Sequence, residues 1–163
     1  MAGFLPTLFE RLRDDQPHRS NEADPMRRWS VEELKESVAR DLERLLNSRS
    51  ALFSDSFDDF PESRKSVASY GMGDFVGLSL SNPADRELIC RTLERTIAHH
   101  EPRLRQVDVR LEADRTAIGC LQFGINAVLH VNPASEPVTF DALLQPNTLQ
   151  YAVAKGRTTQ GVR

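Results

Sequence analysis

The chain has 163 residues, 21 basic and 24 acidic side chains, a net charge of -3 and 39% hydrophobic content. That length suits one domain, and the near-balanced charge excludes the basic excess expected of a nucleic-acid binder or of a segment held on an anionic membrane. No apolar run approaches the roughly 18 residues of a membrane helix, and the short apolar stretch from Phe4 to Leu12 carries Glu10 and Arg11, unlike a secretory signal, so a cytoplasmic protein with no direct membrane insertion is expected.

Phe4 to Leu12 predicts a short amphipathic helix with Phe4 or Leu5, Leu8 and Leu12 on one face and Phe9 beside it. A helix this short is marginal alone in water and must pack on its own domain or on a partner. The polar stretch 13–28, with Pro17 and Pro25, has the composition of a mobile linker, which favours the partner. Residues 1–28 are therefore expected to form an N-terminal helix and linker, 29–154 a single domain, and 155–163 a disordered tail.

Ser30 and Glu33 have capping-box spacing. They predict a helix with Val31, Leu34, Val38, Leu42, Leu45 and Leu46 on its core side, and Arg40, Asp41, Glu43 and Arg44 largely on the other. Asn47 and Ser48 suit its end. The pattern then weakens: Phe53, Phe57 and Phe60 lie among Ser and Asp, and 62–70 has room for a helical turn or two. Residues 69–75 predict a loop whose glycines, Gly71 and Gly73, permit unusual backbone angles; without a third glycine at the required spacing they form no nucleotide-binding fingerprint.

Asn82 as cap and Pro83 in the first turn predict a second long helix, ending near His99. Its repeat of Leu88, Ile89, Thr92, Leu93, Thr96 and Ile97 is helical. At His99-His100-Glu101-Pro102-Arg103-Leu104 the period changes to two, and Pro102 biases Glu101 out of the helical region. Val107, Val109 and Leu111 alternate with charged residues in a first strand. After a turn at 114–116, the stretch 117–131 predicts a second, antiparallel strand. Its Leu121, Phe123, Ile125, Ala127, Leu129 and Val131 face one way, and Gln122, Asn126 and His130 the other. Residues 138–142 suggest a third strand after the Asn132-Pro133 turn, and Tyr151-Ala152-Val153 is short and apolar. The fold class is α+β, with N-terminal helices packed on one face of a small antiparallel sheet.

The chemical candidates are few. Adjacent His99 and His100 cannot converge on one ion from a helix as an i, i+4 pair does, and His18 and His130 lie in other predicted elements, so no metal and no cofactor is expected. Cys90 and Cys120 suit small buried hydrophobes. Glycoside cleavage needs two carboxylates on one cleft, one of them with a raised pKa. Glu101 and Asp108 are the nominees, but Arg103 and Arg110 stand close to them in sequence. No Gly-x-Ser-x-Gly nucleophile motif occurs. Assembly remains: an exposed sheet edge that accepts a strand, an apolar N-terminal helix, and Arg103 paired bidentately with a carboxylate, either within the chain or across an interface.

The Glu101-Pro102-Arg103 triplet, between a helix and an alternating strand pair, resembles that of the baseplate wedge family of contractile phage tails, once called tail lysozymes. The resemblance runs from about Phe4 to Tyr151 and is closer to the bacterial counterpart, the TssE subunits of the type VI secretion system. Tyr70, Gly71 and Asp74 fit a Tyr-Gly-Leu-Pro-Asp-like segment of that family, whereas Met72 and Gly73 depart from it; glycine in place of proline should loosen the loop. The resemblance implies a non-enzymatic structural protein that joins a wedge complex with TssF and TssG. It also implies a part in starting the sheath made by TssB and TssC, by strand sharing. The partner-binding residues it implies are Glu101, Pro102 and Arg103 at the corner and Phe4, Leu8, Phe9 and Leu12 in a helical bundle. The alternatives are a peptidoglycan-cleaving muramidase and a soluble protein-binding adaptor.

Overall fold

A computed structural model describes residues 4–12, 18, 28–50, 59–63, 66–73, 78–79, 82–112, 121–131, 134–145, 148 and 150–156. The expected turns at 114–116 and 132–133 lie outside the described residues, as do Phe53, Phe57, Asp74, Cys120 and most of the 13–28 linker.

Among the described residues, three α-helices precede the sheet: α1 (Leu8–Leu12), α2 (Val31–Asn47) and α3 (Pro83–His100). The ends of α2 and α3 follow from local chemistry. The Ser30 side chain accepts from the Glu33 amide while the Glu33 carboxylate accepts from the Ser30 amide at 2.8 Å, so both halves of the capping box are made. Asn82 Oδ1 accepts from the Ala84 amide at 3.0 Å and Pro83 opens α3. Glu101 leaves the helical region at ψ 79, immediately before Pro102. The 3₁₀ turn Val67–Ser69 stands within the stretch given one or two helical turns.

The sheet has four antiparallel strands in sequence order: β1 (Leu104–Glu112), β2 (Leu121–Val131), β3 (Ala134–Gln145) and β4 (Gln150–Lys155). The alternation in β2 is the one predicted: Phe123, Ile125, Ala127 and Leu129 are buried, and Asn126 and His130 exposed. β3 is longer than the five residues expected, pairing with β2 from Val131↔Ala134 to Leu121↔Leu144. The short apolar Tyr151 stretch is a full edge strand, and it continues through Lys155, the residue from which a disordered tail was expected. In β1 the register slips between Arg105 and Asp108, where Gln106 has φ 54. This bulge separates Leu104 from the alternating Val109 stretch.

Both long helices lie on one face of the sheet, α2 along β4 and α3 along β1. Their Val38, Leu42, Leu46, Leu93 and Ile97 join Phe123, Ile125 and Phe140 in one core. Apolar burial of this kind is the main favourable term in folding. The other face is solvated, as one face of an antiparallel sheet commonly is, with Arg110, Asn126, Leu143, Ala152 and Ala154 exposed.

The N-terminal segment departs from the predicted helix. Phe4 is not in α1: it is extended and exchanges backbone hydrogen bonds with Trp29, at 2.9 and 2.7 Å. Its side chain is half-buried against the domain core. Periodicity could not anticipate this, because it sees only neighbours along one helix.

Candidate assembly site

The corner between α3 and β1 is built around a buried acid. Glu101 is 5% exposed and its carboxylate accepts from Arg103 at 2.6 Å (Nε to Oε1) and from Nη2 through Oε2. The same Nη2 reaches Asp41 Oδ2 of α2 at 2.6 Å. Arg103 thus bolts the first residue pair of the sheet to a helix 62 positions earlier in sequence. Burial works against the Arg103 charge, but its bonds and attraction to Glu101, then to Asp41, outweigh this and raise its pKa above the ordinary guanidinium value. The two charged members of the triplet therefore face into the protein, and Pro102 faces solvent. Arg103 Nη1 is buried without an acceptor among the described residues.

The Tyr70-Gly71 loop closes on this corner. The Tyr70 ring packs edge-on against His100, with centroids 5.4 Å apart. Burial, and next the nearby Asp41 and Glu101 charges, push the Tyr70 phenol up. His100 Nε2 donates to the Ser69 carbonyl at 3.1 Å, and burial lowers its pKa. Gly71 has φ +112, and a Cβ there would meet the Ser48 carbonyl oxygen at 2.7 Å. Only glycine suits both the angle and the approach. Met72, wholly buried, then pairs with Ser48 and Ser50 just beyond α2. The triplet and the loop, the two signatures separated in sequence, thus meet at one place beside α2.

The apolar arm lies elsewhere. In α1, Leu8, Phe9 and Leu12 are 65%, 79% and 71% exposed, and Leu5 just before it 67%. The side chain that faces the domain is Glu10. Its carboxylate accepts from the buried Ser37 hydroxyl at 2.8 Å and from Arg40 Nη2 at 2.9 Å. Of the two charged side chains of this helix, Glu10 turns inward while Arg11 is exposed with the apolar residues. Phe4 does not share the outward face with Leu8, Phe9 and Leu12.

Neither sheet border is open in the way expected. On β4, the Asn47 side-chain amide donates to the Tyr151 carbonyl and accepts from the Tyr151 amide, both at 2.8 Å. Glu43 Oε2 accepts from the Val153 amide at 2.9 Å. On β1, Glu94 Oε1 accepts from the Val109 amide at 2.9 Å. Asn47 reads locally as a helix terminator and Glu43 as a solvent-side charge. Their tertiary partners lie 104 and 110 residues away, beyond any local pattern.

The two acids nominated for glycoside cleavage are both engaged by arginine: Glu101 as above, and Asp108 by Arg110 at 2.8 Å on the exposed side. Neither stands unpaired in an apolar pocket, as a glycosidase general acid does. Among the described residues, no three His, Cys, Asp or Glu side chains gather as metal ligands, and no helix is long and apolar enough to cross a membrane. A depression lined by Phe4, Val31, Leu34, Leu129, Val131 and Glu136 has a volume of about 10 Å³, room for about one water molecule.

The family model of the baseplate wedge protein gp25 matches residues 32–134, a span that takes in α2 from its second residue, the Tyr70 loop, α3, the Arg103 corner, β1 and β2. Among solved structures, a chain described as "The baseplate complex from the type VI secretion system" is similar at 19% identity, over 70% of this chain and 96% of that one, with a TM-score of 0.44. No curated protein matches the chain.

Proposed function

The chain belongs to the gp25 baseplate wedge family, a family of structural baseplate components, and from this premise we propose that it is the TssE-type subunit of a type VI secretion baseplate. In this role it makes and breaks no bond. It works in the cytoplasm, joins the wedge with TssF and TssG, and helps start the sheath of TssB and TssC. The observation that carries the proposal is the family match over residues 32–134, which takes in both long helices and the corner. The outward apolar face of α1 supports one contact in particular. Leu8, Phe9 and Leu12 leave apolar surface in water that a partner's helices would cover, gaining roughly 25 cal/mol per Å² buried. The corner serves differently from a contact made by Arg103 itself. Glu101 and Asp41 hold that guanidinium inside, so the triplet fixes the geometry that Pro102 and the Tyr70 loop present to neighbours.

Affinity purification of the tagged chain from cells that carry the whole apparatus tests this. TssF and TssG are expected among the retained proteins, and sheath assembly should stop when the gene is deleted. A deletion strain that still assembles contractile sheaths, with no wedge subunit retained by the tagged protein, would overturn it. Lysis of purified cell walls by the protein, lost in Glu101→Gln, would favour the muramidase instead.

A further inference from the structure

The way α2 meets β4 has the form of a strand–strand contact. Tyr151 and Val153 turn their backbone polar groups away from β3, to the outer side of the sheet. Asn47 answers Tyr151 with an acceptor and a donor, Oδ1 to the amide and Nδ2 to the carbonyl, both at 2.8 Å. This is the pair of bonds that one residue of an adjacent antiparallel strand would supply. Glu43, one helical turn earlier, supplies the acceptor for Val153, two residues further along the border. Two helical side chains thus occupy successive positions of a missing fifth strand. β1 presents a weaker template. It is bulged at Gln106, its register slips between Arg105 and Asp108, and a bulge terminates pairing at a sheet edge. β4 is regular, pairing with β3 at every residue from Gln150 to Lys155.

We propose that the outer side of β4 is the strand-acceptor border of this protein and that Asn47 and Glu43 are an exchangeable cap which keeps it closed until a partner strand replaces them. This rests on the sheath-starting role proposed above, taken to work by the strand sharing that the family resemblance implies, and adds which border is used and what guards it. The occupant is an extended segment of a partner chain. Its chemistry follows from α2, whose Glu32, Glu36 and Glu43 run along β4. Lys155 already answers the first two, at 3.2 and 2.8 Å. A strand that releases Glu43 from Val153 gains by carrying Lys or Arg on the side facing α2, and small residues fit opposite the exposed Ala152 and Ala154. Covering a border in this way prevents premature pairing between free subunits.

The test uses a second copy of the chain as the probe strand. In the wild-type protein the Tyr151 and Val153 amides, held by Asn47 and Glu43, are expected to exchange slowly with solvent, and sedimentation is expected to give a monomer. In the Glu43→Ala, Asn47→Ala double variant both amides are expected to exchange roughly tenfold faster or more, while Ala152, which pairs with β3, is unchanged. The variant should also dimerise with concentration. Adding Val153→Pro, which deletes an outward donor that the β3 ladder does not use, should return it to monomer. Glu43→Gln, which keeps a carbonyl acceptor, should remain monomeric. A double variant that stays monomeric, or whose dimer survives Val153→Pro, overturns the proposal. If the double variant fails to fold, Asn47→Ala alone must speed exchange at Tyr151 and leave Val153 slow; equal rates at both overturn the cap. A protein that dimerises on uncapping yet never captures sheath subunits refutes the sheath role and upholds the cap.

Discussion

In the body of the protein, Val38, Leu42, Leu46, Ile97, Ile125 and Phe140 are all fully enclosed, and the charged side chains at its borders are spent on tertiary bonds. In α1 the order is reversed: Leu8, Phe9 and Leu12 face water and Glu10 faces the protein. Both regions read as amphipathic in the sequence. The difference teaches that amphipathic periodicity identifies a face without saying which side is turned inward. In α2 the apolar side wins because the sheet supplies an apolar layer to cover it. In α1, five residues long, the inward side is set by one carboxylate that finds Ser37 and Arg40. Such an arm adds little to the fold and has its apolar side available to something else.

The contrast is sharpest where a core side chain is removed. Phe140→Ala should cost about 3–5 kcal/mol, the transfer term of the ring plus the cavity it leaves, read from urea denaturation as a shift in midpoint without a change in slope. A loss near that of a surface substitution would mean that the enclosed body is not the stable unit. Next comes Arg103→Ala. It strands the buried Glu101 carboxylate without its cation and should cost about 3 kcal/mol. Were Arg103 instead an interface residue with slack in the free protein, the isolated chain would hardly change and only complex formation would suffer. Ser30→Ala is expected to cost about 1 kcal/mol, the usual worth of a cap, since it frees the Glu33 amide at the start of α2.

These three sites also mark how far the sequence could be read. The Ser30 cap was legible because every group in it lies within four residues. The burial of Phe123 was legible as alternation within one strand, and the helix-to-sheet switch at Pro102 as a change of period. The α+β class follows from the order of those patterns. What the Arg103 guanidinium binds was not legible, because Asp41 lies on a helix side that periodicity assigns to solvent. The same holds for Ser37, a small polar residue wholly buried beneath Glu10. Phe4 was placed in a helix because its spacing to Leu8 fits one; the pairing with Trp29 that holds it extended depends on how the chain returns. At the corner, the place of the triplet between helix and strand was legible, whereas its inward orientation was a property of the packed fold.

The smallest effect on stability is expected from the arm, and it separates the two regions most cleanly. Leu8→Ser with Phe9→Ser removes apolar groups that are already 65% and 79% exposed, so little burial is lost on the folded side. The midpoint of denaturation should move by no more than about 0.5 kcal/mol, as for ordinary surface substitutions. On the proposed assembly role, retention of wedge partners by the tagged protein should nevertheless fall sharply, because the apolar surface proposed for that contact is removed. Glu10→Ala separates the two contributions further. It leaves the apolar face intact but unfastens it from Ser37 and Arg40, so partner capture should weaken through loss of orientation. If the serine pair destabilises the isolated protein as much as Arg103→Ala does, α1 belongs to the body, and the contrast between an enclosed core and an outward arm is lost. If stability holds and capture falls, the apolar side of α1 is surface kept for assembly.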